Sequence, residues 1–288
     1  MKVLPFFLDF PNEHETIKSI AMNFWGYTLL FTSLFTCQPE LTNETVFEPD
    51  ALVQNIDIEA EKPDHGAWND LLKKYVDDDG NVNYKGFQAD IQSLDSYISS
   101  LSNTPPSSSW TKNDKLAYYI NLYNAATVKL IVDNYPTKSI KDIPNRWKKK
   151  WITVGNITTS LNDIEHEVLR KMDEPRIHFA INCASYSCPK LLNTAFTAQN
   201  MESLLSKTAK DFVNDTKRNR FQNGKAQLSR IFKWYKSDFT ENTSLLEYIN
   251  QYLDNPIDRK AGISYLDYDW SLNEAKESAN KHPNSGIE

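Results

Sequence analysis

The densest group of reactive side chains lies between residues 165 and 188. Its members are a carboxylate, two histidines and two cysteines, namely Glu165, His166, His178, Cys183 and Cys188. A cysteine nucleophile needs a base to remove its proton, usually a histidine, and the base needs a carboxylate or an amide to fix its tautomer. One segment therefore contains every residue type that acyl transfer through a cysteine requires.

The residues alone leave three interpretations of the two cysteines open. First, Cys183 and Cys188 are structural, buried or joined by a disulfide in an oxidising compartment. Second, one of them is a nucleophile. Pro189 favours a helix start, which predicts that Cys188 is an N-cap with a stabilised thiolate, whereas Cys183 needs His166 or His178 beside it. Third, His178 and the two cysteines bind a metal, but no fourth ligand is evident, so we predict none.

A predicted helix and a predicted strand carry the candidate base His166 and the candidate nucleophile Cys183. The helix runs from residue 161 to about 172, and His166 and Arg170 share one of its faces. The apolar run 176–183 has the length and character of a buried strand that ends at Cys183. Because only three residues join the two elements, the helix is expected to fold back beside the strand. We therefore predict contact between His166 and Cys183.

The strongest helix pattern of the chain provides the candidate orienting group. It covers residues 113–131, is capped by its first two residues, and carries Asn121 and Asn124 among apolar residues. Glu165 and His166 are adjacent on their helix and point about 100° apart, so Glu165 is poorly placed to orient His166. An asparagine is the better orienter. The alternative is that both amides make structural hydrogen bonds in the core.

The remaining patterns predict one α+β domain, mainly helical, packed on a small and largely antiparallel sheet. Two hairpin turns are expected, at Gly155-Asn156 and Asn223-Gly224. Further helices are expected over residues 68–75, 91–98, 201–215, 231–235 and 245–253, with a closing strand at 263–268.

Composition excludes several classes of protein. The chain has 288 residues, 40% of them hydrophobic and only 8 of them glycine, which excludes disordered and collagen-like chains. Its net charge of −6 offers no basic excess for nucleic acid. Three cysteines are too few for a disulfide scaffold.

The amino-terminal region predicts export. Residues 24–36 are uncharged and largely apolar, too short to span a bilayer, and are followed by Cys37 as in a lipoprotein cleavage site. The alternative is an apolar helix buried in the domain, or an artefactual extension. The predicted organisation is an export segment with lipidation at Cys37 (1–37), an acidic tether (38–65), the domain (66–275) and a polar tail (276–288).

Several segments of the chain resemble DUF547, a family of unknown function. They include INLYNA at 120–125, DIEHEVLR at 163–170 and PRIHFAINCASYSCP at 175–189, with further matches at 71–76, 82–84 and 228–235. The resemblance implies that the family tends to keep Asn121, Tyr123, Asn124, Glu165, His166, Arg170 and Cys183. Plant relatives often have serine at the position of Cys188, which implies that Cys183 is the nucleophile. Bacterial relatives are often exported or lipid-anchored, which agrees with Cys37.

Two functions are therefore compared. The first is a thiol hydrolase or acyltransferase of papain-like or transglutaminase-like logic, acting without a cofactor on a peptide, amide or ester of unknown identity. Its catalytic candidates are Cys183, His166, Asn121, Glu165 and Cys188, and its binding candidates are Tyr123, Asn124, Arg170 and His178. The second is a non-catalytic binding or scaffolding domain on the bacterial cell envelope, in which these residues form a structural polar network.

Overall fold

The structure is a computed structural model that describes residues 61–276. The predicted export segment with Cys37, most of the predicted tether and most of the predicted tail lie outside the described residues. Within residues 61–276, no helix combines the length and apolar character that a membrane span requires.

Helices dominate the described chain. The α-helices are α1 (Gly66–Tyr75), α2 (Tyr84–Ala89), α3 (Ile91–Asn103), α4 (Lys112–Asp133), α5 (Leu161–Asp163), α6 (Met201–Asn214), α7 (Ile231–Trp234), α8 (Lys236–Phe239) and α9 (Leu245–Asn250). A π-helical turn covers Ile164–Val168, and 3₁₀ turns cover Ile140–Asp142, Leu169–Met172 and Pro175–Phe179. The strands are β1 (Ile152–Val154), β2 (Ile157–Thr159), β3 (Arg220–Gln222), β4 (Lys225–Leu228) and β5 (Gly262–Tyr265). These elements confirm the predicted α+β class.

Helix α4 is the central element of the fold. It begins with a capping box: the Thr111 hydroxyl accepts from the backbone nitrogen of Asp114, and the Asp114 carboxylate accepts from the backbone nitrogen of Thr111. The N-cap is therefore Thr111, two residues before the predicted Asn113. Most of its 22 residues are buried, including Asn121 and Asn124. A helix buried on this many sides must satisfy its polar side chains internally, because water cannot reach them.

The strands form two small sheets. Strands β1 and β2 make an antiparallel hairpin, and β3 and β4 make another, as the turn residues predict. Strand β5 pairs with β4 in the parallel sense, with Leu228 opposite Tyr265. This last pairing fixes the direction of the chain beyond Tyr265, which runs on to the candidate site.

Two hydrophobic clusters fill the interior. The larger packs α1, α3 and α4 together and includes Trp68, Tyr97 and Tyr118, all of them buried. The smaller joins the second half of α6 to α7, α8 and α9 around Phe212 and Phe232. The segment that carries the candidate site runs between these two clusters.

The segment 176–183 is not a strand, contrary to the prediction. Pro175–Phe179 forms a 3₁₀ turn, and the residues from Ala180 to Cys183 have no regular structure. The apolar run is buried on all sides because Ile177 and Ile181 pack into the larger cluster while Phe179 packs into the smaller one. A short apolar run bounded by proline does not distinguish a strand from a buried helical turn.

Asn124 provides hydrogen bonds that this irregular segment would otherwise lack. Its amide nitrogen donates to the carbonyl oxygen of Ala180 over 3.0 Å, and its amide oxygen accepts from the backbone nitrogen of Asn182 over 2.8 Å. Both partners are buried. The side chain thus replaces the strand partner that the predicted sheet would have supplied.

We expect Asn124→Ala to destabilise the domain strongly. The substitution leaves a buried carbonyl and a buried backbone amide without partners, and each unsatisfied group costs about 1–3 kcal/mol. Asn113→Ala is the matched control, because Asn113 lies exposed on the same helix and is expected to change stability by at most about 0.5 kcal/mol. Urea denaturation of the three proteins measures both effects, and equal midpoints would contradict the role of Asn124.

Candidate functional site

A cavity of about 230 Å³ brings most of the predicted site residues together. It is lined mainly by polar and by aromatic side chains. The polar group contains Asn162, Glu165, His166, His178, Cys183 and Cys188, and the aromatic group contains Tyr123, Trp147, Trp234, Tyr235, Tyr268 and Trp270. Of the predicted candidates outside residue 37, Asn121, Asn124 and Arg170 are the ones that do not line it.

The Cys183 thiol is half-buried and surrounded by hydrogen-bonding groups. Its sulfur lies 3.1 Å from the Ser185 hydroxyl and 3.2 Å from the Tyr268 hydroxyl. Burial alone would raise the pKa of this thiol, but hydrogen bonds from Cys188, Ser185 and Tyr268 outweigh burial and lower it. Donors that converge on a sulfur favour the thiolate, which is the reactive form of cysteine.

Cys188 has a different environment from the one predicted. No helix follows Pro189, so Cys188 is not an N-cap, and its side chain is buried. Its sulfur accepts a hydrogen bond from the backbone nitrogen of Cys183 over 2.9 Å. Burial and the neighbouring Cys183 thiol raise the pKa of Cys188. Both cysteines are free thiols rather than a disulfide, and Cys183 is the one favoured for ionisation.

The loop between the two cysteines is fixed at both ends. The Asn182 side chain accepts from the backbone nitrogen of Ala184 and donates to the carbonyl of Pro189, which closes the loop. Ala184 has a φ of 56°, in the left-handed region that non-glycine residues rarely adopt. Backbone conformations of this kind concentrate at functional sites. The loop therefore holds the Cys183 thiol in one position.

A second segment, residues 268–271, is hydrogen-bonded to this loop and carries Tyr268. Backbone hydrogen bonds join Tyr186 to Ser271 over 2.7 Å and Ser187 to Asp269 over 3.2 Å. Tyr268 follows strand β5, whose pairing with β4 sets its approach. The Tyr268 hydroxyl reaches both Cys183 and Ser185.

Arg170 links the two histidines of the site through a carboxylate. Its guanidinium donates two hydrogen bonds to Asp238, over 2.7 and 2.6 Å, and a third to Nδ1 of His166 over 2.9 Å. Asp238 also accepts from Nε2 of His178 over 2.8 Å. Burial alone would raise the pKa of Asp238, but Arg170 and His178 hold it well below its usual range.

The bond from Arg170 fixes the tautomer of His166. A guanidinium has no acceptor atom, so Nδ1 of His166 must accept, and the proton of the neutral ring resides on Nε2. His166 and Cys183 line the same cavity, but no hydrogen bond joins them in the described chain. With a proton on Nε2 and Nδ1 already accepting from Arg170, the neutral ring of His166 has no free acceptor nitrogen.

Glu165 faces the same cavity from the π-helical turn. Its Oε2 accepts from the Tyr123 hydroxyl over 3.2 Å, whereas its Oε1 is buried without a partner. Burial and the nearby Glu165 charge raise the pKa of Tyr123, which keeps that hydroxyl a donor. Glu165 therefore bonds Tyr123 and forms no ion pair within residues 61–276. A π-helical turn is a frequent feature of functional sites.

The asparagines of α4 do not orient His166. Asn121 exchanges two hydrogen bonds with the backbone of Phe196, over 2.7 and 3.1 Å, and Asn124 is bound to the segment after Phe179. Both amides are fully used in the core, as the structural alternative predicts. Among residues 61–276, no group of three or more His, Cys, Asp and Glu side chains is arranged to hold a metal ion.

Sequence reasoning missed the site residues that come from the carboxyl-terminal third of the chain, namely Trp234, Tyr235, Asp238, Tyr268 and Trp270. It also missed Trp147 and Ser185, which lie earlier in the chain. Tyr235 stacks on His178 with ring centroids 3.9 Å apart. One signal was present, because Trp234 and Tyr235 end the last segment that resembles the family. The others carry no local pattern that points to a cysteine far away in the sequence.

Comparison with known proteins finds one matching family. Residues 107–213 match the family described as "Protein of unknown function, DUF547". This central part of the chain is therefore similar to DUF547. The matched residues include α4, both cysteines, Glu165, His166 and Arg170, whereas Asp238 and Tyr268 lie beyond the match. No curated protein and no solved structure matches the chain significantly.

We expect His178→Gln to flatten the dependence of stability on pH. Burial lowers the pKa of His178, so below about pH 6.5 the unfolded chain binds a proton that the folded domain excludes. Folding is therefore destabilised as pH falls, by at most about 1.4 kcal/mol per pH unit for each such histidine. A glutamine side chain can still donate a hydrogen bond to Asp238, but it binds no proton over this pH range. Urea denaturation between pH 6.5 and 5 measures the slope.

His65→Gln is the matched control for this prediction. Burial lowers the pKa of His65 to about 4, and its ring bonds Tyr97 far from the cavity. It is expected to flatten the same curve, and the double variant to flatten it further. A slope unchanged in His178→Gln would show that His178 is protonated in the folded protein.

Proposed function

We propose that this DUF547 domain is a thiol-dependent acyl hydrolase or acyltransferase whose nucleophile is Cys183. The observation that carries the proposal is the convergence of the Ser185 and Tyr268 hydroxyls on a half-buried thiol that lines a cavity. A structural cysteine needs neither a lowered pKa nor access to a cavity. Cys188 is a supporting residue in this scheme, because its own thiol is buried.

Acylation begins with transfer of the thiol proton to the carboxylate of Glu165. Glu165 is the candidate base because its Oε1 is unpaired, whereas Nε2 of His166 already carries a proton. The Cys183 sulfur then bonds to the acyl carbon, and the bond to the leaving group breaks. Glu165 returns its proton to the leaving atom, which departs neutral and leaves a thioester.

Deacylation reverses these roles. The acceptor gives a proton to Glu165 as it bonds to the acyl carbon, and the carbon–sulfur bond breaks. The sulfur departs as a thiolate and recovers the proton from Glu165. In both steps the oxygen of the acyl group becomes negatively charged, and we assign Nε2–H of His166, a residue that lines the cavity, as the donor to it. His166 thus acts as an electrostatic donor, with Arg170 and Asp238 as its positioning residues.

We expect Cys183 to react with iodoacetamide much faster than Cys188. Its thiolate is stabilised and the thiol lines the cavity, whereas Cys188 is buried and its pKa is raised. Peptide mapping by mass spectrometry after timed alkylation gives both rates. Tyr268→Phe removes one donor and is expected to slow the alkylation of Cys183 and shift its pH profile upward.

The same protein is tested for acyl transfer with p-nitrophenyl acetate. An acetyl group on Cys183, observed by intact-mass spectrometry and absent from Cys183→Ala, supports the enzyme. Tyr248→Phe is a control for tyrosine removal, since Tyr248 packs in the smaller cluster away from the cavity. If the two cysteines alkylate at equal slow rates and no acetyl adduct forms, the non-catalytic scaffold is the better description.

We infer from the sequence that the protein acts at the bacterial cell envelope through a lipid anchor on Cys37. The apolar run 24–36 followed by a cysteine and an acidic stretch supports this location. In cells fed labelled palmitate, the wild-type chain is expected to incorporate label and to sediment with membranes. Cys37→Ala is expected to lose both properties, and retention of both would refute the anchor. Cys188→Ala controls for acylation at another cysteine.

A further inference from the structure

One charged side chain at the cavity lacks a counter-ion. Asp238 is neutralised by Arg170, and burial keeps His178 neutral by lowering its pKa. Glu165 is only 7% exposed, accepts a hydrogen bond from Tyr123, and forms no ion pair within the described residues. A buried carboxylate without a cation is costly, so a ligand that supplies the cation gains affinity there.

The unpaired oxygen of Glu165 also calls for a hydrogen-bond donor. Its Oε1 is buried and has no partner, although it belongs to a side chain that lines the cavity. Arg170 does not serve it, because its guanidinium is already bound to Asp238 and His166. Among the described residues that line the cavity there is no Lys or Arg, so none of them is both permanently charged and a donor.

The walls of the cavity suit a cation of this kind. Trp234, Tyr268 and Trp270 form an aromatic rim, with centroid distances between 4.5 and 5.7 Å. Trp234 is 44% exposed, so the rim opens to solvent. Aromatic faces attract cations, and the attraction is stronger where water is excluded. The volume of about 230 Å³ admits a small group rather than a drug-sized molecule.

We propose that this cavity binds a primary ammonium group between Glu165 and the aromatic rim, and that this amine is the acyl acceptor. The acceptor role rests on the proposed thiol chemistry, whereas the binding site itself does not. A lysine side chain or a free alkylamine has the required chemistry, with a charged donor at the end of an apolar stem. An anionic acceptor is disfavoured by Glu165, and water would gain nothing from the aromatic rim.

In the transfer step, the bound ammonium gives one proton to the Glu165 carboxylate, and the neutral amine bonds to the thioester carbon. The carbon–sulfur bond breaks, the departing sulfur takes the second nitrogen proton, and an amide and a thiol remain. Glu165 releases its extra proton to solvent, which restores the starting state. No oxidant or reductant is needed.

Ligand binding is tested on Cys183→Ala, which cannot form a thioester. Isothermal titration calorimetry compares n-butylammonium with 1-pentanol, its neutral counterpart of similar size, and with butyrate. The ammonium is expected to bind at least tenfold more tightly than the alcohol, and butyrate is expected not to bind. Equal affinity for ammonium and alcohol would overturn the proposal, and this comparison needs no further variant.

A second comparison assigns the binding to Glu165. In the Cys183→Ala background, Glu165→Gln is expected to weaken n-butylammonium at least tenfold and to leave 1-pentanol unchanged. Glu167→Gln is the matched control, because Glu167 lies two residues away, is exposed, and pairs with Lys171. Weakening by Glu167→Gln alone would place the cation on the surface and overturn the proposal.

The acceptor role is tested on the wild-type protein. With p-nitrophenyl acetate and n-butylamine, N-butylacetamide is expected to form at the expense of acetate, measured by mass spectrometry. If Cys183 is acetylated but n-butylammonium does not bind, the inference fails and the thiol chemistry stands. If the ammonium binds but Cys183 is never acetylated, the acceptor role fails with the proposed function and the cation site stands.

Discussion

The candidate site depends on one buried side chain, the amide of Asn124. The chain at residues 180–182 is buried without regular structure, and its polar backbone groups need partners that neither water nor a strand provides. Asn124 supplies a donor and an acceptor at once, from the centre of a long and rigid helix. Cys183 follows this segment directly, so its position is fixed by hydrogen bonds to helix α4.

A second constraint on the position of Cys183 comes from the carboxyl-terminal part of the chain. Parallel pairing of β5 with β4 directs the following residues back across the loop between the cysteines, where Tyr268 reaches the Cys183 sulfur. Asp238, on α8, holds Arg170 and His178. The Cys183 thiol is thus fixed by α4 and by two parts of the carboxyl-terminal region, which explains why its position can be defined although its own segment lacks secondary structure.

The division of roles between Glu165 and His166 follows from what each atom is already bonded to. Arg170 occupies the Nδ1 of His166 and so leaves a donor at Nε2, while Tyr123 occupies only one oxygen of Glu165 and leaves an acceptor at the other. The proposed mechanism therefore reverses the assignment that residue types suggest, in which a histidine is the base and a carboxylate orients it. Hydrogen-bond partners, rather than residue type, decide which group can take a proton.

The sequence by itself determined the elements whose signals are local. Periodicity predicted α1, α4 and α6, turn residues predicted both hairpins, and residue types picked out Cys183, His166 and Glu165. Only the tertiary structure decided that residues 176–183 are not a strand, because burial between two clusters is not visible in a run of apolar residues. It likewise brought Tyr268 and Asp238 to the site. Such contacts depend on packing between distant segments, which no local pattern records.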